Sequence, residues 1–150
     1  MANFFAELRT DPNFDPHMIP DFSEISEDSR SYLQEAIAYR PEHAEAILQA
    51  DVPLDHQDGN GQTALQYAVS RGMYDLATDI VNKGADLRCL DKYGNDALWT
   101  AVMHPRPSLP LIDLLVTKGA GPHRKNAAGR SSADMAITKK NQAMMTLFGP

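Results

Sequence analysis

From about residue 31 onward, short amphipathic segments alternate with polar loops. In "TALQYAVSRG", Leu65, Ala68 and Val69 follow the i, i+3, i+4 spacing that places them on one face of a helix. Thr63 is suited to cap the start of this helix, and Gly72 is suited to end it. The next segment, "YDLATDIVNKG", has four apolar residues on one helical face: Leu76, Ala77, Ile80 and Val81. The pattern predicts two short helices joined by a tight turn and followed by a loop of about ten residues.

The same pattern recurs along the chain. A glycine before each helix start occurs at positions 61, 94 and 129, spaced by 33 and then 35 residues. The residues that end the preceding helices, at positions 50, 83 and 118, have the same spacing. Isolated helices below ~12–15 residues are marginal in water, so neighbouring units must stack to bury their apolar faces. We therefore predict an all-α solenoid of stacked helix-turn-helix units.

These units resemble the ankyrin repeat, whose pattern reads G-x-T-P-L-H-x-A, then a turn glycine, then G-A-D. The stretch "GQTALQYA" at 61–68 matches it, with Ala64 in place of proline and Gln66 in place of histidine. Gly72 and "GAD" at 84–86 complete the unit. In the next unit Trp99 stands where the family has histidine. The resemblance implies about four helix pairs, of which the terminal ones are degenerate caps.

We expect one domain with five segments. Residues 60–92 form a repeat of the family's usual length, and residues 93–127 form a second repeat that is two residues longer. The extra residues lie in "HPRPSLP", His104 to Pro110, which is either a tolerated surface insertion or a contact loop. Residues 29–59 are predicted to be a degenerate N-terminal capping repeat, with helices at about Ser31–Tyr39 and Glu42–Gln49. Residues 128–150 are predicted to be a truncated C-terminal cap.

Residues 1–28 do not fit the repeat. They are acidic and contain prolines, but "ANFFAEL" favours one short helix. In one interpretation Phe4, Phe5 and Leu8 cover the open end of the first unit. In the other, the segment is an arm that reaches a partner.

Charge is distributed unevenly along the 150 residues, whose net charge is -6. Residues 1–60 carry a net charge of -10, residues 61–117 carry -1 and residues 118–150 carry +5. Such a distribution is either ordinary solvated surface or an acidic face that steers a basic partner. Nucleic acid is not the expected partner, because only the tail is basic and no stacking aromatic residues are interleaved there.

The sequence has no sign of a secretory signal or a membrane span. The N-terminus lacks a basic region followed by a long apolar core, and no run approaches the ~18 apolar residues of a span. A single cysteine, Cys89, excludes an internal disulfide framework. We expect a cytoplasmic protein that is monomeric on its own.

No pattern of residues indicates catalysis. The five histidines are too far apart in sequence to suggest a metal pair, and no phosphate-binding or nucleophile motif is present. Cys89 is interpreted as an idle thiol. We therefore predict no enzyme activity, no catalytic residue, no metal and no cofactor.

The resemblance implies that the loops and the exposed side of the first helix of each pair bind a protein. Aromatic residues and arginine are the strongest candidates, because they carry most interface energy. Trp99 has two interpretations, as a contact or as a filler of the gap left by the family's histidine. The predicted contact residues are His56, Gln57, Asp58, Asn60, Gln62, Tyr67, Arg71, Leu90, Lys92, Tyr93, Asn95, Trp99, Thr100, His104 and Arg106.

Two functions are consistent with such a module. Small acidic proteins of this type resemble bacterial immunity proteins, which implies that the chain binds one cognate toxin with a basic surface and blocks its active site. The alternative is an adaptor or inhibitor that regulates another cellular enzyme or complex.

Overall fold

The computed structural model describes residues 2–150, in which nine α-helices follow one another along the chain. The helices are α1 (Phe4–Thr10), α2 (Tyr32–Tyr39), α3 (Ala44–Leu48), α4 (Ala64–Ser70), α5 (Tyr74–Asn82), α6 (Ala97–Met103), α7 (Leu109–Thr117), α8 (Ser132–Thr138) and α9 (Gln142–Phe148). Two 3₁₀ turns, Pro16–Met18 and Pro41–His43, precede α2 and α3. Within residues 2–150, β-type pairing is limited to one isolated bridge between Ile25 and Ser31.

The helices form two layers. In the inner layer α1, α2, α4, α6 and α8 contact one another in that order, and in the outer layer α3, α5, α7 and α9 do the same. The 3₁₀ turn Pro16–Met18 packs against α3 at the start of the outer layer. Each unit therefore packs mainly against its neighbours, which confirms the predicted all-α solenoid. Among the helices of residues 2–150, none has the length and apolar character that crossing a membrane requires.

The inner helices begin at side-chain caps. Ser31, Thr63 and Ser131 each accept a hydrogen bond from the backbone N–H three residues later, and the side chain at that later position bonds back. Asp96 caps α6 in the same way through Trp99 N–H, without the return bond. The cap predicted at Thr63 is confirmed.

Two outer helices differ from the sequence expectation, and each has a proline near its start. The helix expected over about 42–49 is a 3₁₀ turn at Pro41–His43 followed by the short α3, and no side-chain hydrogen bond caps either start. The insertion "HPRPSLP" is not a loop throughout. Helix α7 begins at Leu109 under the cap of Ser108, and Pro110 lies in its first turn, where its missing N–H costs nothing.

The N-terminal segment packs against the first face of the inner layer. Leu8 has no solvent exposure, and the Phe5 ring stacks on Tyr32 with a centroid distance of 3.8 Å. The Arg9 guanidinium reaches the buried carboxylate of Glu35 in α2. Helix α1 therefore covers the face of α2 that the stack leaves open at this end.

Candidate functional site

The loops between helix pairs end in tight turns, which we call fingers. Fingers 58–62 and 91–95 each begin with an aspartate, Asp58 or Asp91. The backbone N–H of this aspartate donates to the carbonyl of the fifth residue, and its side chain accepts the N–H of that fifth residue. Lys92 N–H donates to Asn60 O at 2.9 Å, and Ala127 N–H donates to Tyr93 O at 3.0 Å. The fingers are therefore joined to each other and hold their side chains in fixed relative positions.

The finger glycines are required by the stacking as well as by the turn. Gly61 has a φ of +76°, and a Cβ there would lie 3.0 Å from both Asp91 Cα and Leu90 O. A Cβ at Gly94 would lie 3.0 Å from Ala127 N. Each glycine therefore lets the next finger approach closely.

A further finger precedes the three that the glycines mark. Ser26 N–H donates to Arg30 O at 2.8 Å, and Ser29 adopts a φ of 60° at the position that glycine occupies elsewhere. Sequence reasoning missed this turn because serine replaces glycine. The signal that could have found it is the cap Ser31 and the apolar Leu33, which follow Ser29 as Thr63 and Leu65 follow Gly61. This finger places Arg30 at the position equivalent to Gln62 and Asn95.

The first of two depressions on the finger side of the inner helices has a volume of 150 Å³. It brings together five predicted contact residues and adds Ser70 and Arg30, which were not predicted. The lining residues are Arg30, Asp58, Asn60, Gln62, Tyr67, Ser70 and Arg71.

Tyr67 forms the floor of this depression. Its side chain is buried, with 7% of the residue surface exposed. Its hydroxyl donates to Asp58 and accepts a hydrogen bond from Arg30 Nε at 3.0 Å. Burial, together with the bond to Asp58, raises the pKa of Tyr67 to about 12, so the hydroxyl remains a donor at neutral pH. Tyr67 is thus not an exposed anchor, and its edge and neighbours form the accessible surface.

The second depression adjoins the first at Ser70 and has a volume of 310 Å³. It contains four more predicted contact residues, Asn95, Trp99, Thr100 and His104, together with Met103 and Pro105. The indole of Trp99 is half-buried and lines the opening. We call the two depressions and the finger residues at their edge the concave surface.

Gln66 and Trp99 occupy equivalent positions with different roles. Gln66 donates from Nε2 to Asn95 O at 3.0 Å and so ties its helix to the next finger. Within residues 2–150 the Trp99 side chain makes no such bond. Arg124, in the loop that leads to the next finger, bonds to the preceding finger instead, donating to Gly94 O at 3.0 Å and pairing with the buried Asp96. The link is therefore maintained while Trp99 faces the depression.

The remaining predicted residues divide into exposed and tethered ones. Leu90 and Tyr93 are 37% and 58% exposed, and Lys92 Nζ lies 5.1 Å from the centroid of the Tyr93 ring. By contrast, the side chains of His56 and Gln57 hydrogen-bond to finger carbonyls, at 2.7 Å to Ser29 O and at 2.8 Å to Leu90 O.

The other predicted residue, Arg106, is exposed in the turn after α6, and its carbonyl accepts a hydrogen bond from Tyr74. The structure does not place Arg106 in the lining of either depression.

Larger depressions lie elsewhere. One of 480 Å³ is open to solvent between α3 and α5, and one of 570 Å³ lies at the C-terminal end between α8 and α9. Neither contains a predicted contact residue. The concave surface differs from both because it combines aromatic rings, arginine and amide side chains.

The remaining candidates for chemistry in the described residues are metal-ligating side chains and the one thiol. Across residues 2–150, no three histidine, cysteine or acidic side chains are grouped so that they could hold a metal ion. Cys89 is partly buried, and burial, together with the nearby carboxylates of Asp55 and Asp86, raises the pKa of its thiol. A raised pKa leaves less of the nucleophilic thiolate at neutral pH.

Comparison with known proteins gives one family match. Residues 33–126 match the model of ankyrin repeats, in three copies. Intracellular phospholipase A2 of Caenorhabditis elegans is 28% identical over 122 residues, which cover 75% of this chain and 11% of that protein. BCL-6 corepressor-like protein 1 of Homo sapiens is 31% identical over 83 residues, which cover 55% of this chain and 4% of that protein. This chain therefore spans only a small part of the length of either relative.

Proposed function

Because this chain belongs to the ankyrin-repeat family, we propose that it is a non-catalytic module that holds one protein partner on its concave surface. Ankyrin repeats are protein-binding modules, and the proposal adds the surface that does the binding. The observation that carries it is the continuity of the two depressions through Ser70. Together they contain nine of the fifteen contact residues expected from the sequence.

The chemistry of the concave surface supports this choice. Interface energy concentrates in a few aromatic and arginine side chains that become desolvated on binding. Trp99 and Arg71 line the depressions, and Tyr93 is exposed at their edge. The fingers that carry these residues are hydrogen-bonded to one another, so little ordering is required when a partner binds.

Site-specific photocrosslinking tests the surface directly. A photoreactive amino acid is placed at Tyr93 on the concave surface or at Asp79, an exposed position in α5 of the outer layer. The partner is captured with the wild-type chain, purified, and then mixed with each labelled protein. We expect a crosslink to the purified partner from position 93 and none from position 79. Crosslinking only from position 79 would assign binding to the outer layer.

A narrower form of the proposal is that the partner is a toxin, which the chain neutralises by covering its active site. Its support is the acidic charge of residues 1–60, which favours a basic partner. The captured partner should then arrest growth when it is expressed alone, and co-expression with this chain should restore growth. Growth arrest that the chain does not relieve, or a harmless partner, would contradict the toxin form.

The alternative is an adaptor or inhibitor that regulates another cellular enzyme or complex. In that case the captured partner is harmless when expressed alone, and adding the chain changes its activity or its assembly state. The neutralisation assay therefore separates the two forms, while the crosslinking assay tests the binding surface that they share.

A further inference from the structure

Two arginine guanidinium groups lie over the ring of Tyr67 in the first depression. Arg71, the C-cap residue that follows α4, and Arg30, from the N-terminal finger, each have their guanidinium carbon 5.9 Å from the ring centroid. Both residues line the depression. Two cations from sequence positions 41 residues apart therefore meet around one aromatic side chain.

The charges of these arginines are only weakly compensated. Within residues 2–150, the Arg71 side chain forms no ion pair with an acidic residue, and its one side-chain contact of note is the Tyr67 ring. Arg30 bonds to the hydroxyls of Tyr67 and Tyr39, and its carboxylate neighbour, Asp28, is 4.0 Å away. A guanidinium has five N–H donors, so several remain available for a ligand.

The one carboxylate in the lining is already occupied by donors of the protein. Asp58 Oδ1 accepts the backbone N–H groups of Asn60 and Gln62, both at 2.9 Å, and Asp58 Oδ2 accepts the hydroxyl of Tyr67. Asn60, Gln62 and Ser70 are uncharged. The lining residues alone thus carry two positive groups and one negative group, an excess of a single positive charge. Asp28 lies outside the lining and is closer to Arg9, at 2.8 Å, than to Arg30, at 4.0 Å.

We propose that this depression binds one carboxylate of the protein partner, with Arg71 as the principal donor and Arg30 as the second. Planar guanidinium groups match the geometry of a carboxylate, and a single excess charge fits a monoanion better than a dianionic phosphate. The amides of Asn60 and Gln62 supply neutral donors at the same opening. This inference rests on the proposed function, because it assigns the partner chemistry of the same concave surface.

The acidic net charge of the chain does not oppose such a ligand. Among the acidic residues, only Asp58 lines either depression, and the exposed acids of α3 and α5 belong to the outer layer. A carboxylate anchor is a local requirement and is independent of the partner's overall charge.

Peptide selection followed by substitution provides the test. Random peptides displayed on phage are selected on the wild-type chain, and the enriched peptides are synthesised and their dissociation constants measured by calorimetry. Each peptide is made with every Asp or Glu in turn replaced by its amide, and with a free or an amidated C-terminus. The first change detects a side-chain carboxylate and the second detects a terminal one.

The protein variants are Arg71→Gln, Arg71→Lys and, as a matched control, Arg88→Gln. Arg88 is 90% exposed at its side chain, pairs only with Asp86 among residues 2–150 and does not line either depression. We expect each peptide to contain one carboxylate whose replacement weakens binding to the wild type roughly tenfold or more. The same replacement should not weaken binding to Arg71→Gln any further. Arg71→Lys should be intermediate, and Arg88→Gln should bind like the wild type. Thermal melting of each variant verifies its folding.

The outcomes separate this inference from the proposed function. Peptides that bind and lose affinity in Tyr93→Ala or Trp99→Ala, but not in Arg71→Gln or on removal of any carboxylate, would overturn the carboxylate site alone. Peptides whose binding is unaffected by all of these substitutions bind elsewhere, which would overturn both proposals.

Discussion

Arg9 in α1 donates hydrogen bonds from Nε and Nη2 to the two carboxylate oxygens of Glu35 in α2. The Nε–Oε2 distance is 2.9 Å, and the Glu35 side chain has no solvent exposure. The Ser26 hydroxyl also donates to Glu35, at 2.9 Å. Because a buried carboxylate is stable only when it is paired, this contact ties the N-terminal segment to the first inner helix.

Replacing Arg9 with alanine should lower the free energy of unfolding by about 3 kcal/mol, because Glu35 is left buried with a single hydroxyl donor. The Arg9 side chain is 31% exposed, so water replaces part of the lost pairing. Urea denaturation measures the change.

The matched control is Arg88→Ala, which removes an exposed ion pair with Asp86 and should change stability by less than about 0.5 kcal/mol. The double variant Arg9→Met with Glu35→Leu should recover much of the loss, because it removes the buried charge along with its partner. Equal stability of Arg9→Ala and the wild type would show that α1 is not held by this pair.

Tyr67 should ionise well above the ordinary range for tyrosine. Burial, the largest cause, and the hydrogen bond to Asp58 raise its pKa from 10.0 to about 12. The folded state favours the protonated hydroxyl, so the raised pKa contributes to the stability of the folded state. This contribution is complete below pH 10 and is lost as the pH rises through about 12. Its upper limit is about 2–3 kcal/mol.

The tyrosinate absorbance of the wild type minus that of Tyr67→Phe gives the titration of this one group. We expect a midpoint near 12 while the circular dichroism signal remains folded. A difference curve centred at 10.0 would contradict the buried hydroxyl cluster. Tyr67→Phe should also flatten the loss of stability above pH 10 that the wild type shows.

Gly61→Ala should destabilise the protein more than Gly129→Ala. Both positions have φ near +75°, so alanine should lower the free energy of unfolding by about 1 kcal/mol at each, because a side chain is strained in this conformation. A Cβ added at Gly61 also lies 3.0 Å from Asp91 Cα, whereas a Cβ added at Gly129 has nothing within 4 Å. We expect a further loss of about 1 kcal/mol in urea denaturation, because the neighbouring finger must shift. Equal losses would show that the fingers do not approach closely.

Leu98→Ala should cost about 2–5 kcal/mol, as truncation of a buried leucine does. Leu98 is 1% exposed at the start of α6. The control is Leu90→Ala, which shortens an exposed side chain immediately before finger 91–95 and should change the melting temperature little. A melting curve of Leu98→Ala that matches the wild type would contradict the position of the core.

Replacing Tyr93 and Arg71 with alanine should weaken partner binding and leave folding intact. Tyr93 is exposed, and the Arg71 side chain makes no hydrogen bond or ion pair within residues 2–150, so neither is needed for stability. We expect each change to raise the dissociation constant roughly tenfold. Met18→Ala is the control for loss of an exposed apolar side chain outside the concave surface. Unchanged affinity in both variants would contradict the assignment of this surface.

The periodic features of the fold could be read from the sequence because each depends on a few adjacent residues. The apolar spacing in α4 and α5, the cap at Thr63 and the glycine at 61 are local signals, and all have their predicted structure. The turn at Ser26–Arg30 was missed for the same reason, since Ser29 lacks the expected glycine. The start of α7 at Leu109 was missed because a proline in the first helical turn resembles a loop proline in sequence.

The contacts that shape the candidate site depend on the stack instead. Predicted side chains such as Gln57 and His56 became tethers once the fingers lay side by side, and Arg30 joined the site from outside the predicted set. The burial of Tyr67 likewise requires Arg30 and Asp58 from two neighbouring fingers.

The sequence by itself determined the repeat length, the helix pairs, the glycine-marked fingers and hence the ankyrin fold, because stacking units need the same local signals in every copy. Only the tertiary structure decided which polar groups meet. Arg9 and Glu35 are 26 residues apart and Arg30 and Tyr67 are 37 apart. Such pairs form only when the stacked helices bury one partner, Glu35 or Tyr67, and bring the arginine to it, and no local pattern of residues encodes that desolvation.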